Sequence, residues 1–253
     1  MRLSIIGCAG SFPGPDSPAS CYLLEAPFEG RTFRLVVDLG SGALGGLQRV
    51  IDLRDIDAIA LSHLHADHCL DMCGLYVASK YHPDGVMGSV PVFGPTQTSA
   101  FLARAYGLDE DPGMTNEFDF ATWTPSVPMQ IGPFEVTAVQ VDHPVEAYAI
   151  KIMHDGKTLV YSGDTGPTEI LAELAQGADV FLSEASYVES GNNPPNLHLT
   201  GANAGDYANR GRVGRLLLTH IPAWTDRAEV LADAKGAFDG PTELVNVGST
   251  FEI

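Results

Sequence analysis

Ala60-Leu61-Ser62-His63-Leu64-His65-Ala66-Asp67-His68-Cys69 runs an apolar strand into His63, His65, Asp67 and His68 within six residues. While the chain stays extended, His63 and His65 project to one side; Asp67 and His68 follow where it turns into a helix. Imidazole and carboxylate groups at this spacing serve two neighbouring metal positions. With 8 His in 253 residues, an H-x-H-x-D-H pattern arises by chance roughly 6 times in 10,000, so the segment reads as chemistry and not as composition.

Outward from this segment, three more candidate ligands stand at the ends of apolar runs. His143 closes FEVTAVQVDHP, Asp164 closes KTLVYSGDTG, and His220 closes GRLLLTHIP. Alone, a histidine after a strand is an ordinary hydrogen-bonded loop residue. Joined to the first segment, the three complete a ligand set for two divalent ions, and one carboxylate such as Asp164 can bridge both.

Short β-branched runs recur along the chain: RLSIIG, CYLLEA, FRLVVDLG, AIALSH, VPVFGP, FEVTAVQV, AYAIKIM, TLVYSGD, VFLSEA, RLLLTH and LVNVG. Helical patterns interrupt them. Pro167 and Gly177 bracket TEILAELAQ, Thr200 and Gly211 bracket GANAGDYANR, and Asp226 with Glu229 opens RAEVLADAKGAF. The alternation predicts one α/β domain over residues 1–253 with two strand-rich halves. Leu108–Pro133 is the least regular stretch and reads as a lid or an insertion.

The formal charge is −18, from 14 Lys+Arg against 32 Asp+Glu. A bulk polyanion binder is disfavoured, leaving at most short single strands among nucleic acids. The N-terminal MRLSIIGCAG lacks the apolar region and cleavage site of a signal peptide, and no run is long enough to span a bilayer. The expectation is a cytoplasmic protein with four free thiols, in which Cys69 and Cys73 share a helical face and pack inward. Arg210, Arg212, Arg215 and Arg227 form the densest basic cluster and read as solvated surface charge; His82 and His154 read as loop residues.

The order Asp38, His63-Leu64-His65-Ala66-Asp67-His68, His143, Asp164, His220 resembles the five motifs of the metallo-β-lactamase superfamily across nearly the whole chain. The resemblance implies a four-layer αββα sandwich with metals at one edge between two sheets. It assigns His63, His65 and His143 to one metal ion and Asp67, His68 and His220 to a second, with Asp164 bridging. Asp38 then orients the histidine loop without being a ligand. The implied cofactors are two divalent ions, Zn2+ first, with Mn2+ or Fe2+ also suited to such ligands; a homodimer is implied too, with no interface legible.

Within that superfamily, GCAGSFPGPDSPASCYLLE, VFGPTQT, DHPVEAYAIKI, LSEASYVES and LHLTGANAGDYA are similar to the phosphodiesterase branch that includes tRNase Z. In that branch a glutamate pairs with a histidine opening a helix, and Glu184 and His198 fall on those positions. Such a carboxylate fixes the imidazole tautomer and raises its pKa, so His198 can protonate a departing alkoxide. Asp67 is implied to hold and deprotonate the attacking water. The branch's tRNA-gripping arm lies between the His143 and Asp164 motifs, where this chain has 20 residues that a hairpin around His154-Asp155-Gly156-Lys157 accounts for. GPDSPAS, HLHADHCLD, YSGDTG, HLTG and LLTHIPAWT resemble actinobacterial members that hydrolyse cyclic nucleotides, which implies a small phosphodiester substrate. The alternatives are a tRNase Z-like ribonuclease without the arm, or a lactonase, thioesterase or β-lactamase of the same fold.

Overall fold

Period-two burial along the strands sets the layers of the molecule. In β3, for example, Phe33, Leu35 and Val37 face one way while Val36 faces the other, and all four are buried, so the sheet is covered on both sides. The computed structural model describes residues 1–189 and 192–253. Their elements are β1 (Arg2–Gly7), β2 (Cys21–Phe28), β3 (Arg31–Val37), α1 (Ala43–Leu47), β4 (Ala58–Ala60), α2 (Ala66–Cys69), α3 (Met72–Tyr81), β5 (Val90–Gly94), α4 (Thr98–Tyr106), β6 (Phe118–Thr122) and β7 (Met129–Ile131). They continue with β8 (Phe134–Gln140), β9 (Tyr148–His154), β10 (Lys157–Tyr161), α5 (Ile170–Leu174), β11 (Val180–Glu184), α6 (Gly201–Gly211), β12 (Leu216–Thr219), α7 (Arg227–Ala237), β13 (Thr242–Leu244) and β14 (Thr250–Glu252).

Two seven-stranded mixed sheets result, ordered β14-β1-β2-β3-β4-β5-β6 and β13-β12-β11-β10-β9-β8-β7. Between them lies a core of alternate side chains, including Leu3, Tyr22, Leu24 and Leu35 from the first sheet and Phe134, Ile150, Tyr161 and Leu182 from the second. On the outer face of the first sheet, Leu23, Val36 and Ile59 pack against Leu47, Met72, Leu75 and Leu102 of α1, α3 and α4. On the outer face of the second, Val160, Phe181 and Leu218 pack against Leu171, Tyr207 and Val230 of α5, α6 and α7. These three cores make the four-layer αββα sandwich that the resemblance implies.

The sheet directions place the strand ends. β3 and β4 pair parallel, as do β10, β11 and β12, and β8 and β10 are both antiparallel to β9. Segments leaving β3, β4, β8, β10, β11 and β12 therefore emerge at the C-terminal edges of the two sheets, the usual place for a site in an open α/β sheet. Asp155 and Gly156 both take positive φ (50° and 73°), which makes the β9–β10 connection a tight two-residue hairpin.

Three local expectations are corrected. Leu108–Pro133 is not a lid: it contains β6 and β7, the outermost strands of the two sheets, and carries the chain from one to the other. The buried Trp123 fixes this crossover by donating its indole N–H to the Leu61 carbonyl at 2.9 Å. LVNVG is a strand only at its first residue; residues 245–248 turn, and the chain then forms β14 against β1. Cys69 and Cys73 do not share a helix, because Cys69 ends α2 and Cys73 lies in α3. Between them Asp71 accepts the Leu44 N–H at 2.7 Å, tying this break to α1. Both thiols still pack in the same core, and all four cysteines are free.

The helix boundaries follow side-chain chemistry. Thr200 and Asn203 form a reciprocal capping box at α6, and Asp226 accepts the Ala228 and Glu229 N–H groups at the start of α7. Gly211 is the last residue of α6, packed against the Ala175 backbone, and Arg212 takes the left-handed conformation beyond it. No helix among the described residues is long and apolar enough to cross a membrane.

Candidate metal centre

Each sequence-marked ligand stands just beyond a strand, His63 to His68 after β4, His143 after β8, Asp164 after β10 and His220 after β12, and the orienting Asp38 likewise follows β3. The chain stays extended through His65 (φ −68°, ψ 150°) and turns into α2 at Ala66, so the histidine pair and the Asp67/His68 pair point to different positions. Ligand atoms of His63, His65 and His143 lie within 4.8 Å of one another, as do those of Asp67, His68, Asp164 and His220. His65 Nδ1 is 3.1 Å from both His63 Nε2 and His143 Nε2. His220 Nε2 is 3.1 Å from His68 Nε2 and 3.0 Å from Asp67 Oδ2. Asp164 adjoins both groups, 3.7 Å from His63, 3.2 Å from His68 and 3.3 Å from His220.

The far nitrogen of four imidazoles is occupied. His68 Nδ1 meets Asp38 at 2.7 Å, His63 Nδ1 meets the Ser62 hydroxyl at 3.1 Å, His143 Nδ1 meets the Leu197 carbonyl at 3.1 Å, and His220 Nδ1 meets the Ser186 hydroxyl at 3.0 Å. These contacts fix each ring with Nε2 toward the cluster. Asp38, fully buried at φ 56°, also accepts the Ser62 N–H at 2.7 Å, the Ser62 hydroxyl at 2.8 Å and the Tyr161 hydroxyl at 2.9 Å. His220 and Ser11 likewise hold positive φ, at 54° and 62°, strain that clusters at this edge. Gly40 permits a close approach: a Cβ there would lie 1.9 Å from the Asp67 carbonyl oxygen.

The donor set fits divalent cations. Asp164 Oδ1 is buried without a hydrogen bond, its 3.2 Å approach being to the His68 imidazole, an arrangement that a cation between the two groups would satisfy. Burial, with the neighbouring His68, pushes the His63 pKa well down, and burial lowers those of His65 and His143, which keeps their lone pairs available. Burial raises the Asp67 pKa, but hydrogen bonds from His220 and His68 overcome it and hold the carboxylate ionised. Burial opposes charge on His68, and Asp164 and Asp38 outweigh it and raise its pKa.

Glu184, at the end of β11, is fully buried and holds His198 Nδ1 at 3.1 Å through Oε1, which also accepts the Thr165 N–H at 2.8 Å. Burial works against a charged His198, but the charge and hydrogen bond of Glu184 prevail and the imidazole pKa is pushed up to about 9. His198 lies in the loop two residues before the Thr200 cap and not in α6 itself. It lines a cavity of about 310 Å³ together with His65, Asp67, His143 and Asp164.

Ser62, Tyr161 and Ser186 hydrogen-bond to the candidate site residues, and the sequence did not mark them. A serine or tyrosine beside a motif carries no signal until folding shows what it touches. The arginines stay away from the cavity: Arg210 pairs with Glu169 and Asp206, Arg215 with Glu243, and Arg227 with the Val245 carbonyl and Asn246. His82 sits beside Asp84, and His154 reaches the Pro133 carbonyl at 3.2 Å, both remote from the centre.

Two facing sheets with His/Asp clusters at their strand ends define the class, a metal-dependent hydrolase. The chain belongs to the beta-lactamase superfamily: the beta-lactamase superfamily domain matches residues 34–221. Its similarity to the Mycobacterium leprae protein ML1173 is 48% identity over 257 residues, covering 100% of this chain and 89% of that one. The probable metallo-hydrolase YhfI of Bacillus subtilis is 28% identical over 264 residues, covering 100% of each. The YhfI crystal structure superposes with a TM-score of 0.88 at 26% identity, covering 100% of this chain and 99% of that one. A ribonuclease Z of Methanosarcina acetivorans is 25% identical over 293 residues, 94% of each chain.

Proposed function

We propose that this hydrolase is a dinuclear phosphodiesterase for a small phosphodiester, foremost a 3′,5′-cyclic nucleotide, acting as one domain over residues 1–253. His63, His65 and His143 would hold one cation and Asp67, His68 and His220 the other, with Asp164 between them. Zn2+ is the first choice, and Mn2+ and Fe2+ suit the same donors. When bound, such a pair supplies Lewis acidity toward a phosphoryl oxygen and lowers the pKa of water.

The protein's own groups supply the proton transfers. Asp67 accepts the proton of the attacking water, whose oxygen forms the new bond to phosphorus. As the P–O bond to the ribose breaks, His198 delivers its proton to the departing oxygen, and Glu184 holds the imidazole charged and oriented. The observation that carries this reading is His198, backed by Glu184 at 3.1 Å, in the same cavity as Asp67 and Asp164. An acid of this kind is needed for a poor alkoxide leaving group.

Size and charge support a small substrate. The β9–β10 hairpin leaves no arm between His143 and Asp164, and the chain carries a formal charge of −18. Long nucleic acids depend on phosphate neutralisation by lysines and arginines, and neither is among the described residues that line the cavity. A ribonuclease role without the arm is the second reading, favoured by similarity along 94% of the chain to the M. acetivorans ribonuclease Z. Assaying the Zn2+-loaded protein on cyclic nucleotides, linear dinucleotides, precursor tRNA and a lactone tests the choice. Fastest turnover of a cyclic nucleotide supports the proposal; lactone turnover without any phosphodiester turnover refutes it.

A further inference from the structure

Trp224 is 72% exposed, whereas the chain's other tryptophan, Trp123, is 3% exposed. The Trp224 ring packs against Phe12 in a tilted pair, with centroids 4.6 Å apart and planes inclined by 34°. The loops carrying both rings are fixed to His220. Ala9 bridges Ile221, the Ser11 N–H lies 3.3 Å from His220 Nε2, and a Cβ on Gly10 would sit 2.3 Å from the His220 carbonyl oxygen. On the other loop, Thr225 N–H donates to Pro222 at 2.9 Å, and the Thr225 hydroxyl donates to the Ser186 carbonyl at 3.0 Å. The two loops that carry the aromatic pair are therefore anchored to His220 and Ser186.

Three cavities that share lining residues lie between the cluster and Trp224. His198 lines both the metal cavity and a neighbouring cavity of about 320 Å³. Tyr187, whose ring meets His198 edge-on at 5.4 Å, lines that second cavity and a third of about 380 Å³, where Trp224 forms a wall. Asp226 and Glu229 also line the third cavity, with no basic side chain among its described residues. An uncharged flat ring bearing amino donors suits this third cavity, and a second phosphate would be repelled.

We propose that the Phe12–Trp224 pair is a stacking platform for the nucleobase of the substrate, with the base lying on the exposed face of Trp224 while the phosphodiester reaches the metal cluster. The proposal rests on the phosphodiesterase reading and adds a base-binding subsite to it. Stacking on an aromatic side chain contributes about 1–3 kcal/mol per base, or roughly 5- to 150-fold in affinity.

The test titrates the Zn2+-loaded protein with adenosine 5′-monophosphate and with ribose 5-phosphate, followed by calorimetry and by tryptophan emission. In the wild type the nucleotide binds about 5- to 150-fold tighter than the base-free sugar phosphate and quenches the Trp224 emission. Trp224→Ala brings the two affinities together, and Phe12→Ala narrows the gap. Thermal melting verifies that each variant is folded. Equal affinities in the wild type, or a ratio unchanged in Trp224→Ala, overturns the platform. Phosphodiester hydrolysis by the same preparations separates the two ideas. Hydrolysis with an unchanged ratio sinks the platform alone, and a Trp224-dependent ratio without hydrolysis sinks the phosphodiesterase reading while supporting the platform.

Discussion

Glu184 holds His198 through one carboxylate oxygen at 3.1 Å, and its other oxygen accepts the Ser186 hydroxyl at 2.9 Å. Ser186 in turn meets His220 Nδ1 at 3.0 Å. One buried carboxylate thus orients both the candidate acid and a candidate metal ligand. Glu184→Gln removes the charge that raises the His198 pKa. His198 at about 9 stands above its unfolded value near 6.5, so the pair's stabilisation is complete below that unfolded value and is lost as pH rises through about 9. The alkaline limb of the pH–rate profile should lie at lower pH in Glu184→Gln than in the wild type. A limb at the same pH in both proteins would remove His198 from the role of acid.

Asp38 accepts four hydrogen bonds in a fully buried position, from Ser62 twice, His68 and Tyr161. Asp38→Asn replaces an acceptor oxygen with an amide donor that His68 and Tyr161 cannot both satisfy. Metal affinity should drop about 10- to 100-fold, as for other partners of metal-binding histidines. Competition with a chromogenic chelator measures it.

Asp164 and Asp38 raise the His68 pKa in the metal-free protein, so His68 must surrender its proton to bind a cation. Loading should release protons and weaken as pH falls. Calorimetry in buffers of different ionisation enthalpy would detect that release. Stripping the metal should also lower the melting temperature, because ligation at about 100 times the dissociation constant contributes about 2.7 kcal/mol.

Two glycines form a matched pair. Gly40→Ala drives a Cβ into the Asp67 carbonyl, so the backbone beneath Asp67 and His68 must shift; stability and metal affinity should fall together. Gly45 lies within α1 with nothing within 4 Å of its Cβ position. Gly45→Ala should raise stability by about 0.5–1 kcal/mol, read as a higher denaturation midpoint at unchanged metal affinity.

The candidate ligands were legible because each follows an apolar run that stops abruptly at a histidine or aspartate, and the fold brings those endings to one edge. The caps at Thr200 and Asp226 were legible for the same local reason, as was the β9–β10 hairpin. By contrast, β6, β7 and β14 are edge strands of five, three and three residues, too short for periodicity to register. Ser186 and Tyr161 escaped notice because their importance comes from partners far along the chain, His220 and Asp38. Asp71 broke the helix expected through Cys69 and Cys73 by a contact with α1, again tertiary in origin.

The central claim is that His198 protonates a poor leaving group during phosphodiester hydrolysis. It is tested most directly by comparing wild type and His198→Ala, equally loaded with Zn2+, on 3′,5′-cyclic AMP and on bis(p-nitrophenyl) phosphate. The account predicts a fall in kcat of about 10²- to 10⁴-fold on the cyclic nucleotide and a much smaller fall on the nitrophenyl ester, whose leaving group departs without a proton. Equal losses on both substrates, or an intact cyclic nucleotide after incubation with the wild type, would contradict it.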